Sequence, residues 1–192
     1  MNKYTIEQSG RSMIEMLGVL AIVGVLSVAG IAGYSKAMAK YKTNKVVDQI
    51  TMTAANIRTT FAGQGNYDGL TTEVAHNLGV FPEEMDKDWK GSKPVKIVKN
   101  ALGGEVNVGE GNDTYSFDVK FDGLSKDACS TLVTADWGSA SGFLGFTESI
   151  SAQNVKSGAG VADLASGVVG AVSSLCSCDS TANTCSLIWR FK

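Results

Sequence analysis

The most constraining feature of this 192-residue sequence is an apolar run close to its start. No residue from Met16 to Tyr34 carries a charge, and Glu15 stands immediately before the run. At 1.5 Å per residue, a helix over this run is about 28 Å long, close to the hydrocarbon thickness of a bilayer. The run therefore predicts a helix that spans a membrane.

Three interpretations of the run differ in what they make of Glu15. A cleaved secretory signal would have a shorter apolar core that ends at a small-residue cleavage site. A plain membrane anchor fits the length but leaves the carboxylate unexplained. In the third interpretation, cleavage after Gly10 makes Arg11 the new amino terminus and Glu15 the fifth residue. The length of the run and the helical pattern beyond it disfavour a cleaved secretory signal, and only the third interpretation gives Glu15 a defined position.

The segment GRSMIEMLGVLAIVGVLS resembles the N-terminal signature of type IV pilins and pseudopilins. That signature has a polar leader ending in glycine (here Gly10), glutamate at the fifth mature position (here Glu15), and about twenty apolar residues. The first mature residue here is Arg11, where the family usually has phenylalanine or another apolar residue.

This resemblance implies a division of the chain into three parts. Residues 1–10 are a leader that a prepilin peptidase removes on the cytoplasmic side. Residues 11–35 are a transmembrane and polymerisation helix that is kept after cleavage. Residues 36–192 are a periplasmic or extracellular head, which includes the C-terminal half of the same long helix.

The resemblance also assigns a role to Glu15. A carboxylate at the membrane edge is costly unless it finds a partner. The free amine created at Arg11 by cleavage would be such a partner, supplied by a neighbouring subunit. The pair would then align subunits along a filament, because an unpaired buried charge is penalised.

The pattern after Tyr34 predicts that the helix continues into the head. Apolar residues there recur at alternating spacings of three and four: Val47, Ile50, Ala54, Ile57 and Phe61. One face of a helix has this period. We expect one helix from about Arg11 to about Ala62, with a membrane or filament-core half and an amphipathic half.

The rest of the chain predicts short strands and helices. Strands are expected at 94–98, 105–108, 114–121, 143–150 and 185–191, with Tyr115, Phe117, Val119 and Phe121 on one buried face. Short helices are expected after Thr71 or Thr72, after Ser125, and over 161–175. The predicted fold class is α+β: a long N-terminal α-helix packed on an antiparallel β-sheet head, the pilin fold.

The order of these elements resembles that of type IVb pilins, which include the toxin-coregulated pilins and the thin-pilus pilins of conjugative plasmids. The segments GNY and FDGLSKDACSTLV and a late cysteine followed by a strand are the similar features. The resemblance implies a subunit that self-assembles into a helical homopolymer. Its partners would be the prepilin peptidase and an inner-membrane assembly platform with its ATPase.

Four cysteines lie in the C-terminal third: Cys129, Cys176, Cys178 and Cys185. An even number after a membrane segment predicts disulfides in an oxidising compartment, so the head lies outside the cytoplasm. A Cys176–Cys178 bridge would close a strained ring, which leaves two pairing schemes open. The family resemblance implies Cys129–Cys176 and Cys178–Cys185. A zinc site is disfavoured, because Cys-x-Cys spacing is atypical for zinc.

The sequence predicts no enzyme, catalytic residue, metal or cofactor. It contains one histidine, His76, and none of the nucleotide-binding, hydrolase or metalloprotease motifs. The acidic residues around Asp86 and the segment EGNDTYSFD lack the spacing of a calcium loop. A net charge of −2 argues against nucleic acid as a general ligand.

The predicted function is a pilin subunit, located in the bacterial inner membrane before assembly and in an extracellular pilus afterwards. One alternative is a minor pilin or type II secretion pseudopilin in a short periplasmic filament. Another is a membrane-anchored periplasmic binding domain, for which residues 1–10 stay attached and Glu15 has no role.

Overall fold

A computed structural model of the chain describes residues 13–87, 89, 97–138, 142–147, 150, 175–176, 178–179 and 184–192. The chain divides into two units, one up to Lys40 and the other from Tyr41 to Lys192. The first helix, α1 (Met13–Phe61), runs through the boundary between them.

The first unit is the N-terminal part of α1. An 18-residue window of this helix has a mean hydropathy of 2.3, and none of the window is buried. The helix is long and apolar enough to span a membrane. The predicted helix is confirmed over 13–61, one residue short of its expected end, whereas its expected start at Arg11 lies outside the described residues.

The second unit is built on a five-stranded antiparallel sheet in the order β1-β2-β3-β5-β4. Its strands are β1 (Val98–Lys99), β2 (Glu105–Glu110), β3 (Phe117–Leu124), β4 (Phe143–Thr147) and β5 (Cys185–Phe191). The last strand in the sequence thus lies between β3 and β4. The α+β class with a long helix and an antiparallel sheet is confirmed.

The C-terminal part of α1 supplies one side of the core. Ile50 and Ile57 are completely buried, and they share a core with Phe117, Val119 and Trp189 of the sheet. Burial of each large apolar side chain contributes about 1.5–3 kcal/mol. The helix ends at Phe61, whose carbonyl accepts hydrogen bonds from the next turn of the chain.

Two short helices begin at the caps expected from the sequence. The Thr71 hydroxyl accepts a hydrogen bond from the backbone N–H of Val74 and caps α2 (Thr72–Asn77). Ser125 does the same for α3 (Lys126–Val133), through the N–H of Ala128. Such caps satisfy a backbone donor that the first turn of a helix leaves free.

Three expectations need correction or lie outside the structure. Tyr115 is expected on a buried face but is 63% exposed. The reason is that β3 begins only at Phe117, so that Tyr115 lies in the preceding turn. In this turn the carboxylate of Asp113 accepts a hydrogen bond from the backbone N–H of Tyr115. The strand expected at 94–98 is described only from residue 97, and β1 begins at Val98. Most of the helix expected over 161–175 lies outside the described residues.

Candidate assembly helix and cross-linked head

Of the three residues expected to act in processing and assembly, the structure describes only Glu15. Gly10 and Arg11 lie outside the described residues. Glu15 lies in the first turn of α1 and is exposed to solvent. A carboxylate there interacts favourably with the positive end of the helix dipole, whatever its further role.

The apolar side chains that follow Glu15 are exposed within the single chain. Leu17, Ile22 and Val23 are each 53–66% exposed, and at about 100° per residue they point to three different sides of the helix. A helix that is apolar all round needs an apolar surrounding, either lipid or other helices. The geometry of this segment is therefore that of a helix that is buried only in a membrane or an assembly.

The four cysteines form two disulfides, both within the head. Cys129 of α3 is bonded to Cys176, with 5.8 Å between their Cα atoms. Cys178 is bonded to Cys185, the first residue of β5, with 4.2 Å between Cα atoms. This is the pairing that the family resemblance implies. Within the described part of the chain, no group of three or more potential ligands could hold a metal ion.

A buried ion pair, which the sequence did not indicate, joins β3 to β5. Asp118 and Arg190 are opposite each other in the register of the two strands, and both are fully buried. Arg190 donates from Nε to one carboxylate oxygen at 2.6 Å and from a terminal nitrogen to the other at 2.7 Å. Such a bidentate pair fixes both distance and orientation.

A partly exposed ion pair links α1 to the segment after Pro82. Lys45 lies 2.5 Å from Glu84, which also accepts from the side chain of Gln49 at 2.9 Å. The hydrogen bond from Lys45 lowers the pKa of Glu84 below its usual value, with Gln49 acting in the same direction. The same contact raises the pKa of Lys45.

These shifts predict a pH dependence of stability. Glu84 stabilises the head above its unfolded pKa, and this stabilisation is lost as the pH falls through its lowered folded pKa. Lys45 stabilises the head below its unfolded pKa, and this stabilisation is lost as the pH rises through its raised folded pKa. We expect a Glu84→Gln variant to unfold at slightly lower temperature than the wild type between about pH 5 and 10, and the difference to shrink as the pH falls below about 4. Tryptophan fluorescence of the chain in detergent would measure this. A difference that does not shrink as the pH falls would contradict the assignment.

The single histidine packs against the same part of the head. His76 Nδ1 lies 2.7 Å from the Asp86 carboxylate, and its ring stacks on Trp89 with 3.9 Å between centroids. The contact ties α2 to the segment between Pro82 and Trp89. It has the geometry of a packed histidine, and the sequence left open whether this residue would be packed or lie on the surface.

Comparison with known proteins gives consistent matches. Residues 40–189 match the family model described as PilS N terminal. Two relatives, from Escherichia coli O111:H- and from E. coli O127:H6 (strain E2348/69), are each described as the major structural subunit of bundle-forming pilus. Each is 28% identical over 149 residues, which cover 77% of this chain and 74% of the relative.

Proposed function

The chain belongs to the PilS N-terminal family, and from that premise we propose that it is the repeating structural subunit of an extracellular type IVb-like pilus. The observation that supports this most directly is the exposed apolar part of α1, which needs burial by lipid or by other helices. Both relatives are structural subunits of a pilus, so a structural role rather than catalysis fits this chain.

Maturation is the first step of the proposal. A prepilin peptidase cuts after Gly10 on the cytoplasmic side of the inner membrane and leaves Arg11 as the amino terminus. The apolar helix stays in the membrane, and the head folds in the periplasm, where its two disulfides can form. The assembly platform and its ATPase then move the subunit from the membrane into the filament.

Glu15 supplies the alignment in this proposal. In the filament its carboxylate pairs with the amine of a neighbouring Arg11, in surroundings made by the apolar helices. Removing one partner of a buried ion pair is strongly destabilising, because the other charge stays buried. A subunit without the carboxylate therefore docks without the contact that selects its axial position.

The experiment is intact-mass measurement and N-terminal sequencing of membrane and sheared-fibre fractions, for the wild type and for Glu15→Ala. We expect wild-type fibres to contain a chain that starts at Arg11, and the variant to be processed but at least tenfold depleted from the fibres, the loss that about 1.4 kcal/mol would produce. Glu105→Ala removes an exposed carboxylate from the head and is the matched control, with fibre yield unchanged.

Two outcomes would contradict the proposal. A chain that keeps residues 1–10, stays in the membrane and is indifferent to Glu15→Ala would be an anchored periplasmic domain. A processed chain that is never recovered in sheared surface fibres would be a minor pilin or pseudopilin. The same mass spectra report N-methylation of Arg11 and the loss of four hydrogens expected for two disulfides.

A further inference from the structure

The helix segment that follows the apolar run has an uncompensated positive charge. Between Glu15 and Asp48 the sequence contains no acidic residue and four lysines: Lys36, Lys40, Lys42 and Lys45. Lys45 has a partner in Glu84. Lys36 and Lys40, called here the juxtamembrane lysine pair, are exposed. No residue in the described ranges forms an ion pair with either of them.

The position of the juxtamembrane lysine pair along α1 relates it to the membrane boundary. The apolar run ends at Tyr34, which is 67% exposed. Tyrosine is enriched where a transmembrane helix leaves the hydrocarbon. Lys36 is two residues and Lys40 six residues further on, or about 3 Å and 9 Å along the axis. The headgroup layer on each side of a bilayer is about 5–7 Å thick, so both ammonium groups can reach it.

The spacing of the two lysines allows them to act on one ligand. Residues four apart on a helix lie on the same face, with their Cβ atoms about 6 Å apart. The absence of acidic residues from Met16 to Val47 means that neither lysine can pair with a carboxylate one turn away on α1. A phosphate group between the two ammonium groups would satisfy both, and ammonium–phosphate contacts are strong charge-assisted hydrogen bonds.

We propose that the juxtamembrane lysine pair binds the phosphate of an anionic phospholipid in the leaflet next to the head, while the subunit is in the membrane before assembly. This rests on the membrane stage of the proposed function. A lysine close to an anionic membrane surface strengthens binding about fivefold. These lysine–phosphate contacts are lost when the subunit enters the filament. The fraction of anionic phospholipid in the membrane therefore contributes to the free energy needed to extract the subunit.

The experiment measures lipid selectivity of the full chain. The protein is reconstituted in vesicles of phosphatidylcholine and phosphatidylglycerol at a ratio of four to one, and spin-labelled lipids report the relative association constants of the two headgroups. We expect wild type to prefer phosphatidylglycerol, and Lys36→Gln or Lys40→Gln each to lower that preference, by up to about fivefold. High salt should reduce the wild-type preference as well.

Two matched variants separate position from net charge. Lys126→Gln/Lys192→Gln removes two exposed lysine charges from the head and should leave the preference unchanged. Lys36→Arg/Lys40→Arg keeps the charge at the boundary and should keep the preference.

Equal selectivity in wild type and in Lys36→Gln/Lys40→Gln would overturn the proposal. The variant could have the same lipid selectivity as the wild type and yet yield fewer sheared fibres. The lysine pair would then contact acidic groups of another copy in the filament, so the lipid proposal would be wrong and the proposed function would stand. If Glu15→Ala does not reduce the fibre yield but the preference for phosphatidylglycerol depends on the lysine pair, the lipid contact is supported and the proposed pilus function is not.

Discussion

Replacing Arg190 by methionine is expected to lower the free energy of unfolding of the head by about 3–5 kcal/mol, because it leaves a buried carboxylate without its guanidinium. Arg190 and Asp118 are both fully buried and share two hydrogen bonds of 2.6 and 2.7 Å. Methionine occupies similar space without a charge. Urea unfolding followed by fluorescence of the buried tryptophans, on the full chain in detergent, measures the change.

A double variant tests the cause of that loss. In Asp118→Leu/Arg190→Met no charge of the pair is left, so we expect most of the stability to return. Lys120→Met on β3 is the matched control, because its pair with Asp122 is partly exposed and is expected to contribute about 1 kcal/mol or less. A double variant as unstable as Arg190→Met would show that the cost arises from lost packing and not from the stranded charge.

The position of the pair explains why its loss acts on the whole sheet. β5 lies between β3 and β4, and its pairing with each of them has a register shift, between Phe121 and Leu124 on one side and between Phe143 and Gly145 on the other. A one-residue slip would move every side chain to the opposite face. The bidentate pair resists such a slip, because only the native register places the two groups opposite each other.

Local chemistry made parts of this fold predictable from the sequence. Ser125 is followed by a helix and accepts a hydrogen bond from the N–H three residues later, as a capping serine does. Leu187, Trp189 and Phe191 alternate along β5, and all three are buried. Each of these features depends on neighbours within a few residues.

Strand order and the buried ion pair could not be predicted in this way. Alternation places Asp118 and Arg190 on the face opposite Phe117, where polar residues normally meet solvent. That face is nevertheless covered, in part by Ile150. Gly109 is the register partner of Asp118, and a Cβ added at Gly109 would lie only 2.8 Å from Cγ2 of Ile150. Contacts between residues so distant in sequence leave no periodic signal.

The candidate assembly site shows the opposite relation between sequence and structure. Spacing and family resemblance identify Gly10, Arg11 and Glu15. The structure of the single chain describes only Glu15, which lies on an exposed helical turn. A contact between subunits needs a second copy, so the fold of one chain does not contain it. Sequence pattern is the better guide to such a site.

Removing the long disulfide, with Cys129→Ala/Cys176→Ala, is expected to lower the free energy of unfolding by about 4 kcal/mol, because the bridge restricts a loop of about 47 residues in the unfolded chain. Alanine is chosen because both cysteines are buried, so serine would bury a hydroxyl. The matched variant Cys178→Ala/Cys185→Ala opens a loop of only seven residues and should cost about 2.4 kcal/mol.

The two losses can be separated from packing effects by adding a reductant. Under reducing conditions the wild type loses both bridges, and Cys129→Ala/Cys176→Ala should then differ from it only by the small packing change at the two positions. Urea unfolding of the wild type and both double variants, with and without dithiothreitol, gives the free energies of unfolding that this comparison needs. If the short bridge contributed as much as the long one, loop entropy would not govern the stability of this head, and contacts made by Cys185 at the start of β5 would have to account for it.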